Sequence, residues 1–238
     1  MSRLCLIAMA LFLLGSCRKT DEPVRDFRFL QLQPFQELEV HDKIDLHLCC
    51  NPDSGQFLVW DHLSHRLDGL EAKIDNGRLV LRDDNKGRFL RPDDPSPRCT
   101  LNVLNLSLLH ILDAAQVHCQ DTLRTPSLQV IQGSIMNQEL KVQTGQFFGG
   151  SDNQSLLKVS GRANIVSWSL EQSSSLDARD LWCDDAYIRH YTVHDAFISP
   201  DKQLFAYLFN SGNLVCKRQA SYRVEREGPG SGQILIQP

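Results

Sequence analysis

Between residues 108 and 217 the chain repeats a short phrase in which two apolar residues stand two apart and a glycine follows. Leu128-Gln-Val-Ile-Gln-Gly133, Leu140-Lys-Val-Gln-Thr-Gly145 and Leu157-Lys-Val-Ser-Gly161 carry it in full, while Leu176-Asp-Ala178 and Leu204-Phe-Ala206 repeat only its opening. Residues two apart share one face of an extended strand, so each phrase predicts a short strand with one buried side and a turn behind it. No phrase can bury its apolar side alone. The strands must therefore stack, each covering its neighbour, which predicts a solenoid and, as its form, a β-helix.

Upstream of the repeats the period is also that of strands. Residues 27–48 alternate apolar and polar positions, most strictly in Ile44-Asp-Leu46-His-Leu48. Further strands are predicted at 57–60, 70–74, 78–82, 100–103 and 109–112. Asp75-Asn76-Gly77 joins two of them, and Asn-Gly between alternating runs predicts a tight hairpin. Between Asp83 and Arg98 the turn-forming residues of Asp83-Asp84-Asn85-Lys86-Gly87 and Pro92-Asp93-Asp94-Pro95-Ser96-Pro97 predict an exposed loop. Near the other end, Glu227-Gly-Pro-Gly-Ser-Gly232 reads as a turn before a last strand, Gln233-Ile-Leu-Ile236, which could cap the solenoid.

The first residues follow a different logic. Arg3, the apolar run 4–14 and Gly15-Ser16-Cys17 have the three parts of a signal peptide, expected over 1–16, and the apolar run is too short for the ~20 residues of a bilayer span. Leu14-Gly15-Ser16-Cys17 resembles a bacterial lipobox, which implies lipid attachment at Cys17. Several acyl chains on one residue anchor firmly, since each buried methylene contributes about 0.8 kcal/mol. Residues 17–26 are expected to be the lipidated terminus and a polar, flexible tether, with the folded domain over 27–238. Within that tether, Lys19 followed by Asp21 and Glu22 resembles a signal sending lipoproteins to the outer face of the outer membrane. A solvated charged linker reads the same residues equally well.

Charge and cysteine usage narrow the partners. Against 29 acidic residues there are 25 basic ones, a net charge of -4, so no basic field exists for nucleic acid. Beyond Cys5 and Cys17, the remaining cysteines of the eight are Cys49, Cys50, Cys99, Cys119, Cys183 and Cys216. Export permits disulfides among them, and burial as free thiols is the alternative. Adjacent Cys49 and Cys50 are too close at Cα to bridge one another easily, and in a strand they would face opposite sides.

In order along the chain, Phe35-Gln-Glu-Leu-Glu-Val-His-Asp-Lys-Ile-Asp-Leu-His-Leu48, the Asp75-Asn-Gly-Arg-Leu-Val-Leu81 segment and Ser211-Gly-Asn-Leu-Val-Cys216 resemble the head-GIN domain family of autotransporter adhesin type, common among exported proteins of Bacteroidetes-type bacteria. The resemblance runs from about Phe35 to the C-terminus. It implies an all-β, right-handed parallel β-helix with a strand-hairpin N-terminal part. The Ser-Gly-small-Gly turn of that family survives only as Ser160-Gly161 and Ser211-Gly212. The resemblance also implies a binding or adhesion module without catalysis or cofactor, which the lipobox would hold to the outer membrane; a polysaccharide-processing β-helix enzyme and a structural envelope lipoprotein with a single protein partner are the alternatives.

Three constellations could carry chemistry. His62-x-x-His65 and His190-x-x-x-His194, beside Asp184, Asp185 and Asp195, have metal-ligating side chains; in the second pair four residues of strand span about 13 Å, too far for one ion, and with surface or rung-edge histidines as the default no metal site is expected. Asp177, Asp180, Asp184 and Asp185, with Arg179 and Arg189, are the candidates for polysaccharide cleavage, which needs convergent carboxylates. Asp184 and Asp185 are expected on opposite faces of a strand, so they form no pair, and a solvated charged face is the simpler account. The aromatic residues Trp168, Trp182, Tyr187 and Tyr191, with Phe147-Phe148 nearby, are more than one β-helix core needs. Alternation would push some of them outward, to bind a glycan or an envelope or surface protein.

Overall fold

The computed structural model describes residues 24–85, 95–218, 220–221 and 223–237. The expected signal peptide, the lipid-bearing Cys17 and the Lys19–Glu22 signal lie outside the described residues, as does most of the expected loop after Asp83.

Among the described residues seventeen strands form one continuous sheet: β1 (Arg25–Gln31), β2 (Glu37–Val40), β3 (Asp45–Cys49), β4 (Phe57–Leu63), β5 (Leu70–Asp75), β6 (Arg78–Asp83), β7 (Arg98–Asn102), β8 (Leu108–Ile111), β9 (Gln116–Cys119), β10 (Leu123–Gln132), β11 (Gln138–Ser151), β12 (Leu156–Leu170), β13 (Ser175–His190), β14 (Ala196–Leu208), β15 (Leu214–Cys216), β16 (Arg223–Glu227) and β17 (Ile234–Ile236). From β8 onward every pairing is parallel, and the register is that of a coil. Ser151 lies beside Leu170, and Leu170 beside His190, so each rung returns to the same place after 19 or 20 residues. This is a parallel β-helix of about six turns.

The coil bends where alternation fails. Inward residues of β13 are Leu176, Ala178, Leu181, Cys183, Ala186, Ile188 and His190, so the step of two is broken at Arg179–Asp180 and again at Asp184–Asp185. Two consecutive residues kept out of the core turn a strand through a corner. The expectation that Asp184 and Asp185 occupy opposite faces is therefore corrected: neither points into the core. At the equivalent bend in β12, Gly161 has φ +113, and a Cβ there would collide with the carbonyl oxygen of Val142. Only glycine fits that approach.

Each rung thus has three straight runs, and the repeated phrases belong to different ones. Leu128 stacks on Phe147, Val166, Ala186 and Leu204 in succession, whereas Leu157 stacks on Leu176 in another column. The interior is filled by these columns, with Phe147 and Trp168 lying ring over ring at 5.1 Å and 4°.

At the N-terminal end the chain adds hairpins. The rung made by β2 and β3 lies between the later rungs β6–β7 and β8–β9, parallel to both. Antiparallel β4 joins β7, β1 joins β4, and β5 joins β6. The β5–β6 turn is the expected Asn76-Gly77 hairpin, both residues having positive φ (48° and 78°), the signature of a type I′ turn. β1 begins at Arg25, so Arg25 and Asp26, expected in the tether, are already in the sheet. At the opposite end β17 pairs in parallel with β15, as the last strand of the coil.

All six cysteines of the described residues are free thiols, with Cys99, Cys183 and Cys216 buried. Cys49 and Cys50 are both half-buried, so neither takes the core position that opposite faces would give one of them. Burial pushes the Cys50 thiol up to about 11 and the Cys183 thiol up to about 12, which leaves little reactive thiolate at neutral pH.

Candidate functional site

Beyond the Asp184–Asp185 corner, β13 points Ala186, Ile188 and His190 inward and Tyr187 and Arg189 outward. β14 repeats the rule: Leu204, Ala206 and Leu208 face the core and Phe205 and Tyr207 face solvent. Tyr191 and Phe209 follow the two strand ends, held in the ladder by N–H bonds to the carbonyls of Leu170 (2.8 Å) and His190 (2.9 Å). Parallel register sets Tyr187 beside Phe205 and Arg189 beside Tyr207. Five aromatic rings from two adjacent rungs are thereby gathered on one outer face.

Their rings form a ladder. Tyr187 and Phe205 are 4.9 Å apart at 2°, and Tyr191 and Phe209 are 3.9 Å apart at 19°, with Tyr207 4.4 Å from Phe209. The Tyr187–Phe205 and Tyr191–Phe209 pairs join neighbouring rungs face over face along the coil axis, while Tyr207 is tilted by 40° against Phe209 on its own rung. The Arg223 guanidinium covers the far side of Phe205 at 5.1 Å. Toward the N-terminal end the ladder stops abruptly, because the neighbour of Tyr187 on β12 is Ser167 and that of Arg189 is Ser169. On β11, Phe148 follows Ser167 and Gly150 follows Ser169, with Gly149 between them. The result is a step with an aromatic riser, a floor of serine and glycine, and Glu225 and Glu227 of β16 on the far rim. The groove it encloses has a volume of about 340 Å³.

Of the four aromatic candidates, Tyr187 and Tyr191 share the outer face, 41% and 37% exposed, and Tyr187 lines the groove. Trp182 is 53% exposed but lies on the preceding face, between the two corners, under the Arg218 guanidinium at 4.1 Å. Trp168 is a correction: only 2% exposed, it packs on Phe147 in the core and is no ligand-binding residue. Phe205, Tyr207 and Phe209 were missed, although Leu204-Phe-Ala-Tyr-Leu-Phe209 carries an aromatic residue at every second position and so announces them.

Three of the four acidic candidates are held in separate ion pairs, and the fourth, Asp185, has one buried oxygen without a hydrogen-bond partner. Asp177 pairs with Arg179 at 2.8 Å, Asp180 with Lys217 at 2.9 Å and Asp184 with Lys202 at 3.0 Å, each carboxylate with its own cation. Its hydrogen bond to Lys217 holds the Asp180 carboxyl below 3.8, the wrong direction for a proton donor. Arg189 stands on the next face, with the tyrosines. Among the histidines, His190 is fully buried, and burial holds its pKa below 6.5. Among the described residues no group of three or more His, Cys, Asp or Glu is arranged to hold a metal ion.

No curated protein matches the sequence. Among solved structures, a putative adhesin from Bacteroides fragilis is 14% identical with a TM-score of 0.82, over 90% of this chain and 97% of that one. A putative adhesin from Parabacteroides distasonis is 11% identical (TM-score 0.71, 91% and 98% covered), and a protein from the same species described as a putative lipid binding protein is 12% identical (TM-score 0.67, 91% and 98%). At these identities the likeness is one of fold. The model of the family described as "Putative auto-transporter adhesin, head GIN domain" matches residues 34–220, most of the length and nearly all of the coil, and the chain belongs to that adhesin-like family.

Proposed function

We propose that the protein is a non-catalytic adhesion module of the cell envelope, anchored in the outer membrane by lipid on Cys17 and binding its ligand on the aromatic step of β13 and β14. The observation that carries this reading is the step itself. Packing does not call for five aromatic rings on an outer face, and exposed aromatic clusters of this kind are characteristic of recognition surfaces. The separate ion pairs of Asp177, Asp180 and Asp184 support binding over polysaccharide cleavage, since hydrolysis needs two carboxylates facing one bond. The geometry also suits an anchor. β1 begins a few residues after Cys17 and joins the hairpin-covered end of the coil, so the tether leaves from that end and the step stands several rungs away from it.

Two measurements test the reading together. Cys17→Ala is expected to move the protein from the membrane fraction to the soluble fraction, and retention in the membrane would remove the anchor. Protease added to intact cells is expected to destroy the protein. Survival until the cells are lysed would confine it to the inner side of the outer membrane and overturn adhesion to an external surface.

A further inference from the structure

We infer that the step beside Tyr187 is a subsite for one unit of a neutral glycan, an assignment that rests on the binding-module reading above. Phe205 has no free ring face, being covered by Tyr187 on one side and Arg223 on the other. Tyr187 keeps one. That face looks along the coil axis toward β12, where its register partner Ser167 is too short to cover it, and one rung further the same column holds Phe148. Strands in a sheet lie about 4.8 Å apart, so a six-membered ring seated over Ser167 would lie about 4.8 Å from Tyr187. That is the spacing the column already uses between Tyr187 and Phe205, at 4.9 Å. The column continues as a stack with one position left to the ligand.

The surroundings select what that ring can be. Ser167 and Ser169 form the floor, the Ser169 hydroxyl reaching the Glu171 carboxylate at 3.4 Å, and Arg189 stands beside Ser169 on the next strand, while Glu225 and Glu227 line the far end of the same groove beyond the Tyr187–Phe205 stack. A pyranose offers both halves of the match: axial C–H groups on its flat face for Tyr187, and equatorial hydroxyls for the serines, the Arg189 guanidinium and the Glu171 carboxylate. A flat aromatic ligand would leave the polar floor unpaired, which costs affinity. An extended peptide would need free backbone groups, yet β13 is hydrogen-bonded to β12 on one side and β14 on the other, so no sheet edge is open here. Charge completes the choice. Beside the Ser167 position the Glu171 carboxylate offsets the Arg189 guanidinium, and at the far end of the groove Arg223 is ion-paired to Glu225, so no uncompensated cation is left to hold an anionic sugar. Uronic acids and other anionic sugars are disfavoured, and a neutral sugar is not. The groove volume of about 340 Å³ lies at the small end of ligand sites, as one subsite of a longer chain on an open face should.

The test is retention of the detergent-solubilised mature protein on immobilised neutral oligosaccharides and on their uronic-acid counterparts, followed by titration calorimetry with the best neutral binder. Two variants accompany the parent. Tyr187→Ala removes the riser. Ser167→Phe removes nothing and instead supplies the missing ring from the protein, so it occupies the subsite while extending the stack, and its thermal melt is expected to match the parent. Neutral sugars should be retained by the parent, and each variant should lose affinity by about tenfold or more, as expected for an anchor at the centre of a site. Preference for the uronic-acid series, or parent-like affinity in Ser167→Phe, would overturn the assignment. So would retention of no sugar by a protein that still adheres to whole cells, an outcome that leaves the binding-module reading in place. Failure to adhere to cells as well would remove both.

Discussion

Trp168 and Tyr187 occupy neighbouring rungs of one face and have opposite fates, because Ser167 is the register partner of Tyr187 and Trp168 that of Ile188. One residue of parity separates core from ligand surface. The indole N–H of Trp168 has no hydrogen-bond partner in its buried site, so the ring contributes through packing in the core, stacked on Phe147. Trp168→Phe is therefore expected to cost under about 1.5 kcal/mol, and Trp168→Ala about 3–5 kcal/mol, measured by urea denaturation. His190 makes a second prediction at this scale. Burial lowers its pKa below 6.5, with Asp195 and the surrounding backbone only partly offsetting the effect. As pH falls through 6.5, the unfolded chain takes up a proton that the folded chain still refuses, so stability decreases until the lower folded value is passed. His190→Leu is expected to flatten that part of the profile, seen by comparing denaturation midpoints on either side of pH 6.5. At the residue scale the sequence shows which side chains could serve, but alternation cannot be counted through a corner, and so it could not tell Trp168 from Tyr187.

Within an element the reading is more secure. Alternation in Ile44-Asp-Leu46-His-Leu48 places all three apolar residues in the core, where they are fully buried, and Asn76-Gly77 makes the hairpin that its chemistry demands. These features are local, and local chemistry decides them. Corners are different, since Asp184–Asp185 carries neither glycine nor proline and sits in a run of strand-forming residues, and the bend shows only in the register against β14. Gly161 is the exception, a corner written in the sequence by its glycine. Replacing it with alanine sets a Cβ against the Val142 carbonyl at a φ that L residues avoid. A loss of about 2–3 kcal/mol is expected for Gly161→Ala, and a thermal melt unchanged from the parent would mean that the corner relaxes without cost.

For the whole molecule, the repeated phrases made the solenoid legible, because unsupported half-buried strands have no other way to cover one another. The order of the rungs was not legible. Nothing in the chain from Glu37 to Cys49 says that its neighbours on either side arrive later, from β6–β7 and from β8–β9. Nor could the repeats reveal that Leu128 and Leu157 serve different faces, since their spacing along the chain mixes two columns that the register keeps apart.

That inverted order has a kinetic consequence. The β2–β3 rung is made first but is flanked only after Glu37 meets both Arg78 and Leu108, so the early steps close long loops before any contact offsets their entropy. From β10 onward each strand adds beside the one just completed, as a zipper does. The N-terminal rungs should therefore form the folding nucleus. Leu109→Ala is expected to slow refolding, while Leu204→Ala leaves refolding nearly unchanged and speeds unfolding, a contrast visible in the two arms of a chevron plot. Equal effects on both arms for both variants would mean that assembly begins at either end of the coil.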